Sequence, residues 1–388
     1  MRSKKVYIFC SHTVPTEHPN AVRIVNIAKI FRDIGCEAYC FGFDKAEKDI
    51  FNYQGVNCKV WKQESTTGFI NFIKREKKRR ENIKSIFDQI GKPDYIVSCF
   101  SNCKSQRFLI SYAKKNKIPM IQSICEWFDK SAFSGLTGFV KLLNNRYSMY
   151  FQIPRVKNVI AISSLLSDFY TKKGCNTLIL PTLIDTSEYE TVNEVYACNK
   201  SKICIAYAGS PAKKDYLLNI IKSLEFLNND ELSRLELHLY GPTNEQLYGL
   251  GVSIEYLERY ENNIICHGRI PYEAVKQKIA AADFTVLLRP NKRYANAGFP
   301  TKVGESMACG TPVIANITSD LGKYIIDGET GIICENESAE ACAVAIKKAI
   351  NCSQETLKKI RCMTLEIANK KFNYQTYDNE LAKFVSHL

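Results

Sequence analysis

Residues 296–316 read NAGFPTKVGESMACGTPVIAN, and this stretch decides how the chain is interpreted. It predicts a loop, a helix that opens on Pro300 and ends at Gly310, and a strand over 313–315, because proline suits a first helical turn and glycine a left-handed stop. Free N–H groups and the helix dipole at such a start attract anions. Glu305 lies one turn inside the helix. Beside an anion site, its carboxylate could accept hydrogen bonds from a ribose diol.

Strand and helix signals alternate along the whole chain. In the first half, residues 20–34 have helical spacing, and short apolar runs predict strands at 5–10, 37–43, 94–99, 120–124 and 159–162. The second half repeats this rhythm, with strands predicted at 203–207, 235–240, 264–267, 284–288 and 313–315. Strands that alternate with helices indicate parallel sheets covered on both faces, so the sequence predicts an α/β fold.

The length of 388 residues fits two domains, each able to bury its own core. Residues 181–201 are polar, partly acidic and without clear periodicity, which predicts a hinge. We therefore expect two Rossmann-like, doubly wound domains, an N-terminal one over 1–185 and a C-terminal one over 186–371. Ligands of such domains bind at the carboxyl ends of the strands, so a cleft between the two domains is the expected site.

The net charge of +13 is unevenly distributed. Residues 1–185 carry 30 Lys and Arg against 15 Asp and Glu, whereas the remainder carries 23 against 25. The densest run, KREKKRRENIK from Lys74 to Lys84, follows apolar residues at 69, 70, 72 and 73. A basic amphipathic helix with aromatic neighbours suits the surface of an anionic membrane. A solvated helix face is the alternative.

The sequence shows no signal of a membrane-spanning helix, a signal peptide, a paired-cysteine motif or a metal site. No run approaches the roughly 18 uncharged apolar residues of a spanning helix, and the apolar run near the N-terminus, about five residues, is too short for a signal peptide. The 16 cysteines are scattered without a C-x-x-C pair, which favours free cytosolic thiols. There is no Asp-x-Asp and no cluster with ligand spacing, so we expect no metal and no other cofactor.

Four segments together resemble the donor-binding half of glycosyltransferase family 4, the retaining enzymes with the GT-B fold. Besides 296–316, they are CIAYAGSPAKKD at 204–215, HGRIPYEAV at 267–275 and AADFTVLLRP at 281–290. The resemblance is strong from about 204 to 335. It implies two Rossmann-like domains facing each other across a cleft, a nucleotide-sugar donor as substrate in the second domain, and a terminal helix at 372–388 that packs back on the first.

The resemblance places the donor's diphosphate near the turn after the first strand of the second domain. Lys214 follows the Gly209-Ser210 turn and is similar to the family's phosphate lysine, with Lys213 as its rival. Ser210 stands where the family often has an arginine. Positive groups aimed at the leaving diphosphate would supply most of the catalysis, since little covalent help is needed.

Arg289 could supply the missing charge, because it ends a predicted strand and can hold phosphate oxygens with two donors. Lys302 is a further candidate, since a lysine in the first turn opposes the helix dipole unless an anion is bound. Glu305 resembles the second glutamate of the family's Glu-x7-Glu pattern, which binds the ribose hydroxyls. Ile270 should offer its backbone to the nucleobase, which leaves UDP and GDP donors open, with UDP the commoner in the family.

The first glutamate of that pattern is absent, because alanine stands at 297. In the family this glutamate approaches the transferred sugar. Asn296 could replace its hydrogen bonds without its charge. Backbone N–H groups near the helix start could hold the sugar and phosphate. We therefore predict that Gly298, Phe299, Thr301 and Lys302 bind the donor.

Acceptor-side signals are weaker. The family's glycine-rich loop after the first strand appears as HPNAVR at 18–23, without paired glycines, so Asn20 or Arg23 would have to make the phosphate contact. Glu126 follows a predicted strand and could orient or deprotonate the acceptor hydroxyl. His12 is a lower-ranked candidate for the same task.

The leading hypothesis is a cytoplasmic, metal-independent glycosyltransferase at the inner face of the membrane. Its partners would be a nucleotide-sugar donor and a glycan or lipid-linked acceptor of capsule, O-antigen or exopolysaccharide synthesis. Alternatives are a nucleotide-sugar epimerase of the same fold, a glycosyltransferase-like protein without activity, and a nucleic-acid binder. The last explains the basic half but not the donor motifs, and the 74–84 run has few interleaved aromatic residues for stacking.

Overall fold

The computed structural model describes residues 3–16, 18–44, 46–62, 69–100, 103–130, 135–190, 202–210 and 214–388. The chain divides into two compact units. Unit 1 comprises Met1–Leu183 and Tyr374–Leu388, and unit 2 comprises Ile184–Asn373. Each unit is built on a mainly parallel sheet with helices between its strands. The predicted α/β fold class with two Rossmann-like domains is therefore confirmed.

Unit 1 has an eight-stranded sheet in the order β3-β4-β2-β1-β5-β6-β7-β8. Its strands are Lys5–Phe9 (β1), Glu37–Asp44 (β2), Lys48–Tyr53 (β3), Val56–Lys62 (β4), Tyr95–Ser98 (β5), Met120–Ile124 (β6), Asn158–Ala161 (β7) and Asn176–Ile179 (β8). All neighbours are parallel except β3, which runs antiparallel to β4 at one edge. The central strands β1 and β5 are almost wholly buried, which is why they read as unbroken apolar runs.

The helices of unit 1 cover both faces of this sheet. They are Pro19–Asp33 (α1), Phe69–Ile90 (α2), Cys103–Asn116 (α3), Gly135–Tyr147 (α4), Ile153–Val156 (α5), Ser164–Thr171 (α6) and, from the end of the chain, Asp378–Ser386 (α16). A π-helical turn, Ser148–Gln152, joins α4 to α5. The side chain of His18 caps α1 by accepting a hydrogen bond from the backbone N–H of Asn20, and Pro19 occupies the first turn.

Unit 2 has a six-stranded sheet in the order β11-β10-β9-β12-β13-β14, with every pair parallel. Its strands are Ile203–Ala208 (β9), Leu235–Tyr240 (β10), Ile264–Gly268 (β11), Phe284–Leu287 (β12), Val313–Asn316 (β13) and Gly331–Cys334 (β14). This is the 3-2-1-4-5-6 order of dinucleotide-binding domains. The order reverses between β9 and β12, so a crevice is expected at their carboxyl ends.

The helices of unit 2 connect these strands and continue towards the end of the chain. They are Leu217–Lys222 (α7), Asn229–Ser233 (α8), Asn244–Gly249 (α9), Ile254–Arg259 (α10), Tyr272–Ala281 (α11), Arg293–Ala297 (α12), Thr301–Ala308 (α13), Ala339–Ile350 (α14) and Gln354–Lys371 (α15). Asn228 and Thr243 form capping boxes at α8 and α9. These caps satisfy backbone donors that the first turn leaves open.

The structure differs from the sequence predictions at several places. Residues 296 and 297 belong to the short helix α12 rather than to a loop, and Pro300 is the residue before α13 rather than its first member. Strands β3, β4, β8 and β14 were not predicted. The described part of the expected hinge contains a 3-10 turn, Thr186–Tyr189, whose Tyr189 is buried. The rest of that segment, 191–201, lies outside the described residues.

Helix α2 contains the basic run and is only partly solvated. Glu76 and Arg79 are buried, whereas five cations of the run are exposed, namely Lys74, Lys77, Lys78, Arg80 and Lys84. Ile83, Ile86 and Phe87 pack into the unit. The side chains of the apolar residues at 69, 70, 72 and 73 are not among those that the structure describes. The described outer face of α2 thus offers charge without exposed apolar side chains.

The buried pair in α2 predicts a large stability effect. Arg79 Nη1 lies 2.9 Å from Glu76 Oε1, and Ser105 Oγ donates to Glu76 Oε2 at 2.8 Å. Arg79→Met removes the nearer cation of this buried carboxylate and leaves only Arg75, whose Nε lies 3.9 Å from Glu76 Oε1, so we expect the free energy of unfolding to fall by about 3–5 kcal/mol. Chemical denaturation followed by circular dichroism measures this change.

The matched control is Lys77→Met, because Lys77 and Glu81 form an exposed pair at 4.0 Å in the same helix. Exposed pairs contribute at most about 1 kcal/mol. Equal effects of the two substitutions would show that the buried pair carries no special stability.

Candidate functional site

The first group of site residues lies at the carboxyl ends of β9 and β12 in unit 2. Gly209 directly follows β9, and Arg289 follows β12 by two residues. Because the strand order reverses between these two strands, the helices after them leave in opposite directions and open a crevice. Arg289 is held at this point by its backbone, which exchanges two hydrogen bonds with the Asn316 amide at 2.7 and 2.8 Å.

Lys302, Arg289 and Asp215 form a charged cluster in this crevice. Lys302 Nζ forms an ion pair with Asp215 Oδ2, and Arg289 Nε lies 3.9 Å from Asp215 Oδ1. Lys302 Nζ is also 3.1 Å from the Tyr207 hydroxyl and 4.5 Å from the centre of its ring. Two of the cations predicted to bind phosphate are therefore together. A carboxylate that the sequence analysis did not single out compensates them.

Gly209 makes this arrangement possible. Its φ of 138° is one that other residues rarely adopt, and a Cβ there would lie 2.4 Å from both Cε and Nζ of Lys302. Gly241 is similarly close, since its Cβ would lie 2.6 Å from the Gly209 carbonyl oxygen. The lysine side chain therefore crosses directly over the glycine turn.

The other predicted residues of the same turn are less informative. Ser210 is exposed, and its carbonyl oxygen lies 3.5 Å from the Tyr207 hydroxyl. Lys214 is half-buried between β9 and α7. Lys213 lies outside the described residues, so its rivalry with Lys214 stays open.

Glu305 lies in α13, one turn after Lys302. Its Oε1 accepts a hydrogen bond from the Tyr272 hydroxyl at 3.2 Å, a contact from α11 that sequence reasoning missed. Burial raises the pKa of Glu305, while this hydrogen bond and the nearby Lys302 and Lys276 lower it. The carboxylate therefore has one oxygen oriented by a tyrosine beside the cation cluster.

The start of α13 contributes backbone rather than side chains. Phe299 is buried with its ring against Tyr324 and Phe372, at centroid distances of 5.5 and 5.7 Å, so its side chain cannot face a ligand. Gly298 has an extended, buried backbone, and Thr301 is half-buried. Backbone N–H groups remain the candidate donors here.

Asn296 is engaged within the protein. Its Oδ1 accepts a hydrogen bond from the Ser319 backbone N–H at 2.8 Å, and its Nδ2 donates to Asn291 Oδ1 at 2.7 Å. The neighbouring Ala297 is fully buried. This argues against the expectation that Asn296 stands in for the missing glutamate, because its amide already joins the loop before α12 to the loop after β13.

Ile270 follows β11 and packs against a small cluster that contains Ala206, Tyr240 and Ala282. Its side chain is half-buried, and it lies just after the carboxyl end of its strand. This placement keeps its backbone available as a candidate contact for a nucleobase.

Unit 1 contains a cavity of about 210 Å³ at its own switch point, between β1 and β5. His12, Asn20 and Glu126 all line it, so three of the four predicted acceptor-side residues are together. Asn20 Nδ2 lies 3.4 Å from His12 Nε2. Burial and the nearby His18 lower the pKa of His12, while Glu126 opposes this shift. A neutral imidazole beside a carboxylate can take a proton from a hydroxyl.

Arg23, the fourth residue, has a different position from the one expected. It is buried, and its guanidinium donates to Ser123 Oγ and Leu180 O at 2.9 Å and to Pro181 O at 3.3 Å. These bonds tie α1 to the sheet. The proposed phosphate contact is therefore replaced by a structural role.

Asn145 also lines the cavity, although nothing in its sequence context marks it. It is buried in α4, and no hydrogen-bond partner for its Oδ1 occurs among the described residues. A buried amide oxygen costs free energy unless a donor reaches it. A ligand hydroxyl in the cavity could be that donor.

No group of three or more metal-ligating side chains occurs within the described part of the chain. The described residues form two candidate sites, one in each unit. Unit 2 offers cations beside a carboxylate, which suits an anion with a neighbouring diol. Unit 1 offers a sugar-sized cavity with a histidine, a carboxylate and amides.

Comparisons with known proteins agree with the fold of the two units. Residues 189–362 match the family model described as glycosyl transferases group 1. An uncharacterized glycosyltransferase of Methanocaldococcus jannaschii is 24% identical over 271 residues, which cover 65% of this chain and 66% of that protein. The chain thus spans just under two thirds of that relative.

Solved structures are similar over nearly the whole chain. Anabaena HepE in complex with UDP and glucose has a TM-score of 0.69 at 16% identity, over 99% of this chain and 100% of that one. Sucrose-phosphate synthase from Thermosynechococcus elongatus has a TM-score of 0.76 at 14% identity, over 99% and 98%. At such identities the likeness shows the fold alone. The chain has the GT-B fold, and its residues 189–362 are similar to the glycosyl transferases group 1 family.

Proposed function

We propose that the protein is a retaining glycosyltransferase of family 4. It would move a hexosyl group from a nucleotide sugar to a glycan or lipid-linked acceptor in the synthesis of a surface polysaccharide such as capsule or lipopolysaccharide. The observation that carries the proposal is the cluster of Lys302 and Arg289 at the switch point of unit 2, with Glu305 one helical turn away.

The proposed chemistry follows from the charge of the leaving group. As the bond between the anomeric carbon and the diphosphate breaks, negative charge grows on a phosphate oxygen, and preorganised cations stabilise it. Lys302, Arg289 and Lys214 would meet this charge, with no metal required. In the retaining, front-face route, the acceptor oxygen bonds to the anomeric carbon and its proton passes to the departing phosphate.

The negative charge of Asp215 partly compensates the two cations of this site. Without a ligand, its carboxylate compensates Lys302 and Arg289 and keeps them close together. A diphosphate would take over part of both contacts. The cations are thus positioned before the donor arrives, which is what electrostatic catalysis requires.

We assign the donor's ribose to Glu305 and its base to the backbone of Ile270. UDP is favoured over GDP because solved structures of the same fold include Anabaena HepE with UDP-glucose. The acceptor's reacting sugar would occupy the cavity of unit 1, where Glu126 and His12 could orient its hydroxyl and Asn145 could accept a hydrogen bond from it.

We further propose that the protein works at the inner, cytoplasmic face of a membrane as a peripheral protein. The exposed cations of α2, from Lys74 to Lys84, would attract anionic lipids. No helix in the described ranges is long and apolar enough to span a bilayer.

A thermal-shift panel tests the donor assignment. We expect UDP and one UDP-sugar to stabilise the protein, with GDP and CMP giving smaller shifts. A ligand at a hundred times its Kd adds about 2.7 kcal/mol to the stability of the unit that binds it. A radiolabelled sugar transfer assay with membrane extracts would then identify the acceptor. Stabilisation by GDP alone would overturn the choice of UDP, and stabilisation by no nucleotide would contradict the donor site.

A further inference from the structure

Helix α4 and the π-helical turn after it expose apolar side chains along one face of unit 1. Phe139, Val140, Leu143 and Phe151 are 55%, 44%, 48% and 58% exposed, and Tyr150 is 36% exposed. The spacing of 139, 143 and 151 places them on one side of a helix. Large apolar side chains grouped on one surface mark an interaction site, whereas single ones need no explanation.

The opposite side of the same segment faces inward. Leu142 and Met149 are buried, and Asn145, Ser148 and Met149 line the cavity that we assign to the acceptor. One helical segment therefore has the cavity on one side and the exposed apolar face on the other.

Charge around the apolar face is mainly positive. Residues 130–167 contain five Lys and Arg and no Asp or Glu. Helix α4 packs against α3, and α3 packs against α2. The exposed cations of these two neighbouring helices are Lys74, Lys77, Lys78, Arg80, Lys84, Lys104, Arg107, Lys114 and Lys115, against exposed Glu81 and Asp88. The surface thus combines the exposed cations of α2 and α3 with the exposed apolar side chains of α4 and the turn after it.

This combination distinguishes between possible partners. A second copy of the chain would bring cations against cations, which disfavours self-association through this face. Nucleic acid bases could stack on the aromatic side chains of this face, but the aliphatic Val140 and Leu143 between them offer no stacking surface. An anionic lipid surface satisfies both features, because headgroups attract the cations and acyl chains accept the apolar side chains.

We infer that α4 and the following turn are the membrane-inserting element of this protein, with α2 and α3 supplying the electrostatic attraction. The inserted side chains would be Phe139, Val140, Leu143 and Phe151. This placement supplies the apolar contact that the described face of α2 lacks. It rests on the proposed function in one respect, since docking through α4 would bring the acceptor cavity next to the lipid that carries the acceptor.

Vesicle sedimentation of the full chain tests the inference. The variant is Phe139→Ser with Phe151→Ser, measured on vesicles of phosphatidylglycerol and phosphatidylcholine in equal parts and on phosphatidylcholine alone. We expect wild type to bind the anionic vesicles and the variant to bind them about tenfold or more weakly, since insertion and charge act together. Circular dichroism and UDP-induced thermal shifts should match wild type.

The matched control is Ile254→Ser with Val344→Ser in unit 2, whose side chains are 55% and 57% exposed. This variant should bind vesicles like wild type. Equal loss in both variants, or no loss in either, would overturn the inference. So would a wild-type dimer that only the Phe variant dissociates, because the face would then join two copies, and so would tighter binding to DNA than to vesicles that the Phe variant alone weakens.

The failure of this inference is distinguishable from failure of the proposed function. Vesicle binding needs no donor and no turnover, whereas the nucleotide panel needs no lipid. Loss of vesicle binding with intact UDP stabilisation supports docking through α4. Vesicle binding that survives in the Phe variant, with UDP stabilisation also intact, overturns docking through α4 and leaves the glycosyltransferase assignment standing.

Discussion

Lys302→Ala lowers kcat of sugar transfer by about a hundredfold to a thousandfold, with a smaller change in KM for the donor. The effect is expected because Lys302 would act on charge that grows only as the diphosphate leaves, and removing one such donor typically costs this much. Lys302 is already positioned over Gly209 and paired with Asp215, so little reorganisation is needed. Steady-state kinetics with a nucleotide sugar and membrane acceptor measures both parameters.

A matched control separates the site from general loss of charge. Lys348 also pairs with an aspartate in unit 2, with Nζ 3.0 Å from Asp327 Oδ2, but it lies in α14 and Asp327 is not among the predicted site residues. Lys348→Ala should leave kcat within about twofold, since surface pairs contribute little. A fall in kcat of similar size in both variants would contradict the role assigned to Lys302.

Sequence reasoning found the parts of the site that depend on local pattern. The α13 segment was recognised because proline, glycine and helical spacing lie close together, and Glu305 and Lys302 follow from their places in it. The strand runs of both units were recognised for the same reason. These features are set by neighbours in sequence.

The partners that complete the site come from elsewhere in the chain. Asp215 meets Lys302 across 87 residues, and Tyr272 meets Glu305 across 33. Nothing in the local pattern shows such contacts, because they depend on how β9, α11 and α13 pack together. Arg23 illustrates the reverse case, since its position suggested a ligand contact but three oxygens of unit 1 already accept its donors.

Burial also limits what the sequence alone predicts about the basic run. A count of charges treats Arg79 and Glu76 as members of a solvated face, yet both are buried in one ion pair. The exposed apolar residues that would contact lipid belong instead to α4, where Phe139 and Leu143 are part of an otherwise ordinary helix pattern. Whether a charged or apolar residue of α2 or α4 is exposed thus depends on which side of its helix faces the sheet.

Glu305→Gln should weaken UDP binding by about tenfold to a hundredfold. A carboxylate accepts hydrogen bonds from both ribose hydroxyls, and hydrogen bonds to a charged group contribute about 1.5–3 kcal/mol. The sharpest measurement is calorimetric titration with UDP and with 2′,3′-dideoxy-UDP. Wild type should lose affinity for the dideoxy ligand, whereas the variant should bind both about equally. Wild type that fails to discriminate would rule out a ribose contact at Glu305.

Two further variants locate the effect. Tyr272→Phe removes the hydrogen bond to Glu305 Oε1 but keeps the carboxylate, so it should cause a smaller loss and retain discrimination between the two ligands. Glu273→Gln changes a glutamate that is 74% exposed and paired with Lys276. It should bind UDP like wild type.

The pH dependence of binding gives an independent test of the same carboxylate. Burial raises the pKa of Glu305, so on acidification it takes up a proton at a higher pH than an ordinary glutamate does. Only the ionised form accepts both ribose hydroxyls. UDP affinity of wild type should therefore fall as the pH drops towards this raised pKa, while the Gln variant shows only the titration of UDP itself. The stability of the fold depends on pH in the opposite direction to UDP affinity. A raised pKa of Glu305 favours the folded state at low pH, and this contribution is lost as the pH rises through the folded-state pKa.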